Sequence, residues 1–276
     1  MAQPYSVLMA VYKKDDPSFL STAVESMLKQ TILCEQFIIV EDGPLPESLQ
    51  VIIDKYEKNS PELFTVVRLS ENKGLANALN NGIAVSRNEL IARMDSDDIS
   101  FPKRCEKQLL MFQQDSDLAL VGTATLDFFD SPENAKPSVR PTPAKAEEIK
   151  RILKRNDPFA HPTVMYKKSV IQACGGYDAS LRRVEDYELF SHLVALGYKA
   201  TNIEEPLLYY RANKMMLLRN RSKINRNTRI LVQKKIYRRG ECSFLDYLYV
   251  FFAMKVAGLI PSFIYEKAYN LVKKKS

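Results

Sequence analysis

The sequence has little of what several large protein classes require. Its four cysteines, Cys34, Cys105, Cys174 and Cys242, are far apart and form no CxxC pair. That argues against a zinc site or a disulfide framework and suits a reducing compartment. No uncharged apolar run reaches the roughly 18 residues of a membrane-spanning helix. The opening Met1-Ala-Gln-Pro-Tyr5 lacks a basic region followed by an apolar one, so no secretory signal is expected. No internal repeat is present. What is there is the composition of a soluble globular protein. The 276 residues are 46% apolar and 26% charged, enough for a substantial core in one or two domains. Lys and Arg number 40 against 33 Asp and Glu, a surplus of +7 whose location matters more than its size.

The first half alternates short apolar runs with helical spacing. Ser6-Val-Leu-Met-Ala-Val-Tyr12, Gln36 to Glu41, Phe64 to Leu69 and Leu90 to Met94 read as strands buried on both faces. Asp16-Pro17 opens a helix, with Asp as N-cap and Pro in the first turn. Leu20, Ala23, Val24, Met27 and Leu28 give that helix one apolar stripe. Leu49 to Tyr56 and Leu75 to Ser86 mark two more helices. This alternation predicts an α/β fold, a parallel sheet with helices on both faces. It also puts Tyr12, Asp42, Asn72 and Asp95 just after successive strands, along one edge of the sheet.

That edge ends in Asp95-Ser-Asp97-Asp98, three carboxylates within four positions. Clustered carboxylates repel, and a hard divalent cation such as Mg²⁺ or Mn²⁺ is one reason to gather them. Ligands also bind at the carboxyl ends of strands in open α/β sheets. The competing reading is an acidic turn capping the helix that Pro102 opens. An EF-hand loop is excluded, because Ser100 stands where it needs Gly and Pro102 intrudes. Asp42-Gly-Pro44 taken alone is an ordinary turn. Taken with Asp95 on the same edge, it points to a nucleotide pocket in which both Asp side chains accept hydrogen bonds from base or ribose.

The ordered set resembles a known family. Ser6-Val-Leu-Met-Ala-Val-Tyr, Glu41-Asp42-Gly, Asn72-Lys-Gly-Leu-Ala-Asn-Ala-Leu-Asn-Asn-Gly-Ile83 and Arg93-Met-Asp-Ser-Asp-Asp-Ile-Ser-Phe-Pro-Lys-Arg104 look like a family 2 glycosyltransferase of GT-A fold. The likeness runs from Ser6 to about Tyr210. It implies a Rossmann-like, mostly parallel sheet and a nucleotide-sugar site formed by Ala10, Tyr12, Asp42, Asn72, Lys73, Asp95 and Asp98. Asp97 is the implied ligand of Mn²⁺ or Mg²⁺. A sugar nucleotidyltransferase has a similar sheet but carries a Gly-rich loop after its first strand. Here that place is Lys13-Lys-Asp-Asp16.

In the second half, Leu118 to Thr123 and His161 to Tyr166 read as strands, and 131–143 as a polar, Pro-rich surface loop. Ala146 to Leu153 and Ser169 to Cys174 read as short helices. Arg182 to Leu196 is a helix closed by Gly197. Glu185 and Asp186 lie in its first turn, where acidic residues commonly complement the helix dipole. By resemblance they match the family's ED motif, with Asp186 the catalytic base and Glu185 on the acceptor side. An inverting transfer needs one carboxylate to take the acceptor hydroxyl's proton and no carboxylate nucleophile. Glu188 is therefore assigned to helix support or surface. His161 is placed with Glu185 as an acceptor contact, a metal ligand or structural residue being the other readings. His192 is given no role.

From Arg211 to Arg239 the chain carries Arg and Lys with no acidic residue. Phe244 to Tyr265 is strongly apolar but interrupted by Asp246, Lys255 and Pro261, and Lys273 to Lys275 follow. This suits an anionic membrane surface better than a span, with Phe244, Tyr247, Leu248, Phe251, Phe252 and Leu259 buried in the interface and Asp246 and Lys255 facing water. The competing reading is a helix pair packed on the catalytic domain. No nucleic-acid recognition motif accompanies the basic run, so no nucleic-acid partner is expected.

The expectation is thus a GT-A catalytic domain over 1–210, with a nucleotide-sugar half (1–123) and an acceptor half (124–210). A basic, apolar helical extension (211–276) associates with membrane. The expected enzyme is cytoplasmic, peripheral on the inner face of the cell membrane. It moves galactose or glucose from a UDP-sugar to a lipid-linked acceptor of the undecaprenyl-diphosphate GlcNAc type. The rivals are a nucleotidyltransferase and a non-catalytic membrane-bound partner in polysaccharide assembly.

Overall fold

A computed structural model describes residues 3–129, 131–138, 140–212 and 222–259. The first four strands are β1 (Tyr5–Val11), β2 (Gln36–Glu41), β3 (Phe64–Arg68) and β4 (Leu90–Met94). They pair in parallel in the order β3-β2-β1-β4, as the apolar runs predict. The pleat sends alternate side chains to opposite faces. Leu8, Ile38, Val40 and Ile91 enter one buried cluster with Leu79 of α3 (Leu75–Val85). Val7, Met9, Ile39 and Ala92 enter the other with Leu20 and Val24 of α1 (Pro17–Leu28). Burial on both faces is why these strands read as unbroken apolar runs. The Asp16 side chain accepts the Ser18 and Phe19 N–H groups at 2.8 and 3.3 Å, capping α1 as expected. α2 (Glu47–Asn59) covers β3.

Beyond β4 the sheet becomes mixed. β8 (Met165–Lys167) runs antiparallel between β4 and β6 (Leu118–Phe128), and β9 (Lys199–Arg211) lies parallel to β6. β5 (Ile99–Ser100) closes the far edge against β9, and β7 (Lys136–Pro137) pairs with β6. The remaining helices are α4 (Arg104–Gln114), α5 (Ala146–Leu153), α6 (Lys168–Ala173), α7 (Glu185–Ala195), α8 (Lys223–Arg238) and α9 (Phe244–Ala257).

Several boundaries differ from the sequence reading, each for a local reason. The expected strand from His161 begins instead as a 3-10 turn, His161–Thr163, because Pro162 cannot donate to a ladder. α7 begins at Glu185 rather than Arg182, since Val184 adopts φ 64°, a left-handed conformation. The expected surface loop at 131–143 contains β7 and a 3-10 turn, Pro132–Asn134. β6 continues across residues 123–124, so both halves of the expected catalytic domain share one sheet.

α8 packs on the first helical layer through buried Val232 and Ile236. Polar pairs fasten it and the turn after it: Lys235 to Asp178, Arg239 to Glu188, and His192 to Glu241 at 2.9 Å. Glu188 is therefore a supporting residue, as expected, and His192 has the same duty. On α9, Asp246 does not face water. It closes a capping box with Ser243 and pairs with Arg155 of the chain after α5. Of the apolar residues assigned to an interface, Tyr247, Leu248 and Phe251 are half-buried while Phe244 and Phe252 are exposed. Residues 213–221 and 260–276, including Met215 to Leu218, Pro261 and the Lys273–Lys275 run, lie outside the described residues.

Candidate active site

The carboxyl ends of the four parallel strands bring Tyr12, Asp42, Asn72 and Asp95 to one edge. Asp42-Gly43 makes the first contact across it. Gly43 has φ +86°, and a Cβ there would lie 2.5 Å from the Asn72 backbone nitrogen, so only glycine allows the close approach. The buried Asp42 carboxylate accepts from Asn72 Nδ2 at 2.9 Å, Lys73 N at 2.9 Å and Gly74 N at 3.0 Å. It thereby fixes the Asn72-Lys73-Gly74 turn that leads into α3. The Lys73 side chain is exposed and pairs with Glu71 at 3.0 Å. Ala10 is half-buried at the same strand end, beside partly exposed Tyr12.

Asp95, Asp97 and Asp98 converge, with one oxygen from each inside a 4.8 Å cluster. Asp98 is fully buried, and its Oδ2 reaches no partner. Burial, and then the neighbouring Asp97, pushes its carboxyl well above the usual range. Burial and Asp95 push Asp97 up to about 6. Two groups hold this loop against its own repulsion. Arg93, buried at the end of β4, pairs with Asp95. Asp15, after β1, accepts the Ser96 hydroxyl at 2.7 Å and the Tyr12 N–H at 3.1 Å. Burial pushes Asp15 to about 7, and the Asp97 and Asp95 charges add to the rise. Three converging hard oxygen donors, one of them buried and unpartnered, fit a divalent cation of the Mg²⁺ or Mn²⁺ type. A plain helix-capping turn would leave no such oxygen inside.

The second acidic group lies at the start of α7. A left-handed Val is sterically costly, about 1–3 kcal/mol, and Val184 holds that conformation directly before Glu185 and Asp186. Glu185 is buried with an unpartnered Oε2, and burial and Asp186 raise its carboxyl to about 7. The Asp186 Oδ1 accepts the Tyr187 N–H at 2.8 Å, and the carboxylate keeps partial exposure. Asp157, from the chain after α5, also acts on this group. Its Oδ1 takes the Phe159 N–H at 2.9 Å, its Oδ2 is buried without partner, and burial and Asp186 raise it to about 8. His161 is 7% exposed, with Nε2 2.9 Å from the Tyr177 hydroxyl and Nδ1 3.8 Å from Asp186 Oδ2. Both ring nitrogens thus address protein groups.

Arg93 links the two acidic groups. Its positive charge acts on Asp95 and Asp98 on one side and on Glu185 on the other. Sequence reasoning named the carboxylates but missed Arg93, Asp15, Asp157 and Arg211. Asp15 carried a signal, since it follows β1 at the same edge as Tyr12. Asp157 carried none, because Asn156-Asp157-Pro158 reads as a turn. The arrangement brings three carboxylate oxygens that can hold a divalent cation near a second carboxylate pair that can take a proton.

A protein-family model described as glycosyl transferase family 2 matches residues 6–175. The chain is 32% identical over 271 residues to an uncharacterized glycosyltransferase of Haemophilus influenzae, covering 98% of this chain and 99% of that one. It is 31% identical over 268 residues to the UDP-Gal:alpha-D-GlcNAc-diphosphoundecaprenol beta-1,3-galactosyltransferase of Escherichia coli, covering 95% of each. Among solved structures, the mannosyltransferase PcManGT from Pyrobaculum calidifontis, in complex with GDP-Man and Mn²⁺, superposes with a TM-score of 0.68 at 13% identity, covering 93% of this chain and 72% of that one. At that identity the likeness is one of fold, and the fold is GT-A.

Proposed function

The chain belongs to glycosyl transferase family 2, and on that premise we propose that it is an inverting, metal-dependent hexosyltransferase. It moves galactose or glucose from a UDP-sugar to a lipid-linked acceptor of the undecaprenyl-diphosphate GlcNAc type, in bacterial surface-polysaccharide synthesis. One observation carries the reading: the buried Arg93, ion-paired with Asp95 of the Asp95–Asp97–Asp98 cluster, lies near enough to Glu185 for its charge to act there, so the cluster and the start of α7 adjoin. A donor diphosphate and an acceptor hydroxyl need those two chemistries side by side. The full-length likeness to the E. coli galactosyltransferase supports the donor and acceptor classes.

In this reading Ala10, Tyr12, Asp42, Asn72, Lys73, Asp95 and Asp98 form the nucleotide-sugar side. Asp42 acts by shaping the Asn72-Lys73-Gly74 turn, since its carboxylate is engaged there. Asp97, with Asp98 beside it, would hold Mn²⁺ or Mg²⁺, which when bound offsets the charge of the departing diphosphate. Asp186 takes the acceptor hydroxyl's proton as that oxygen bonds to the anomeric carbon and the carbon–diphosphate bond breaks. One displacement inverts the anomeric centre, and no protein nucleophile is needed. Glu185 and His161 stand on the acceptor side.

The C-terminal helices support a place on the inner face of the membrane. No helix among the described residues is long and apolar enough to cross a bilayer. Leu245, Tyr249, Phe252, Val256 and Leu259 recur at alternating spacings of four and three, and each is 57% to 81% exposed. That is one continuous apolar stripe on α9 and the residues after it. α8 beside it is basic and carries no acidic residue. An anionic lipid surface matches both features.

Incubating the protein with a panel of UDP-sugars and a diphosphate-lipid acceptor analogue tests the reading by UDP release. Pyrophosphate release from a nucleoside triphosphate and a sugar phosphate would instead support a nucleotidyltransferase. Inactivity toward every substrate would support a non-catalytic assembly partner.

A further inference from the structure

We propose that His161 and Tyr177 form a positioning pair for Asp186: the Tyr177 hydroxyl donates to His161 Nε2, leaving the imidazole proton on Nδ1, directed at the Asp186 carboxylate. The inference rests on reading Asp186 as the base.

The ring is held from several sides. Its Nε2 is 2.9 Å from the Tyr177 hydroxyl, and its centroid lies 5.5 Å from the Tyr177 ring and 5.9 Å from Phe190 of α7, edge-on. The buried Arg104 guanidinium grips the adjoining Pro162 carbonyl at 2.8 Å and the Arg93 carbonyl at 3.1 Å, tying the 3-10 turn to β4. His161 therefore has one position, and only its tautomer is free. With the proton on Nε2, the Nδ1 lone pair faces a carboxylate oxygen 3.8 Å away, a repulsive contact. With the proton on Nδ1, the same contact is attractive, and a buried site weakens neither sign as water would. Tyr177 must then donate to Nε2, which its hydroxyl can do by rotation.

Burial, with the Arg93 and Arg140 charges nearby, drives the imidazole well below its ordinary range. The ring is neutral and does not take the acceptor's proton itself. It supplies a fixed N–H dipole. At 3.8 Å this is longer than a hydrogen bond, so Asp186 Oδ2 remains able to receive a proton. Oδ1 is fixed separately by the Tyr187 N–H. Two further carboxyls interact with Asp186, Glu185 of its own helix and Asp157 from the chain after α5; burial raises them to about 7 and about 8, so neither supplies a positive partner for it. In a Ser-His-Asp triad the aspartate orients the histidine; here the histidine orients the aspartate.

The chain has two histidines, which makes the tautomer directly readable. In ¹⁵N-histidine NMR of the full chain, with His192→Gln to assign the signals, His161 is expected neutral with its proton on Nδ1, and not to titrate between pH 6 and 8. Tyr177→Phe should lower kcat about tenfold to a hundredfold, the scale of a misplaced reacting group, with acceptor KM, UDP affinity and thermal midpoint little changed. His161→Asn, which keeps a donor near the Nδ1 position, should retain more activity than His161→Leu. A proton on Nε2, or wild-type kcat in Tyr177→Phe, would overturn the proposal. The spectrum needs no substrate, so it stands apart from the donor and acceptor assignment. Full transfer by Asp186→Asn would overturn the base reading itself, and the positioning role with it.

Discussion

The backbone N–H of Arg211 donates to Asp98 Oδ1 over 2.8 Å, joining residues 113 positions apart in the sequence. Arg211 Nε also donates to the Asp97 carbonyl at 2.8 Å, and its guanidinium lies between the rings of Phe19 and Phe128, 3.7 and 4.5 Å away. The last residue of β9 thus closes the acidic loop. It contacts the loop through one backbone carbonyl and one Asp98 oxygen, and Asp98 Oδ2 stays unpartnered.

Asp97→Asn should therefore remove the metal-dependent part of UDP binding and cost at least about a hundredfold in turnover. The fold should be kept or slightly stabilised, because burial and Asp95 already make the Asp97 charge unfavourable. Calorimetric titration of UDP with and without Mn²⁺ checks this. Undiminished wild-type turnover in excess chelator would remove the metal from the account.

Asp186→Asn keeps the side-chain shape and the Tyr187 contact but cannot act as a base. Transfer should fall by about 10²–10⁴-fold, with UDP affinity unchanged because this carboxylate serves the acceptor. A collapse of UDP binding with normal residual turnover would move Asp186 to the donor site.

Asp157 gives a pH signature. Its folded-state carboxyl is raised to about 8, by burial first and Asp186 second, against an ordinary value near 4. Between those values the native state keeps a proton that the unfolded chain releases, so this group's contribution to stability falls as pH rises. Asp157→Asn cannot ionise and still accepts the Phe159 N–H. Its urea midpoint should gain on the wild type between pH 5 and pH 9. Glu185 and Asp15, each raised to about 7, keep part of the wild-type slope. An unchanged slope would show that Asp157 is ionised in the folded protein.

How far the sequence discloses this molecule depends on what each residue's role needs. β1 to β4 are legible because strands buried on both faces must be apolar throughout and end in turn residues. The acidic loop is legible because its repulsion demands an explanation. β9 is not, since Glu204, Glu205 and Pro206 interrupt it and its pairing with β6 shifts register there. Val184 is unreadable in principle, because a β-branched residue is the last expected at positive φ. Asp246 reads as a solvent-facing charge on an apolar helix, and its burial follows only from Arg155 lying across from it.

The exposed stripe on α9 should bind membrane. In flotation with anionic vesicles at low salt the protein should rise with the lipid and be released as salt increases, since each basic residue near the surface contributes about 1 kcal/mol. Leu245→Glu combined with Phe252→Glu should abolish flotation while leaving the fold intact. Retention in the soluble fraction at low salt would confine these helices to packing.

The central claim is one inverting displacement on a UDP-sugar. Proton NMR of the product formed from an α-linked UDP-hexose and a GlcNAc-diphosphate-lipid analogue reads it directly, through the coupling at the new anomeric proton. The account predicts a β-linked product and one UDP released per sugar transferred. An α-linked product would contradict it.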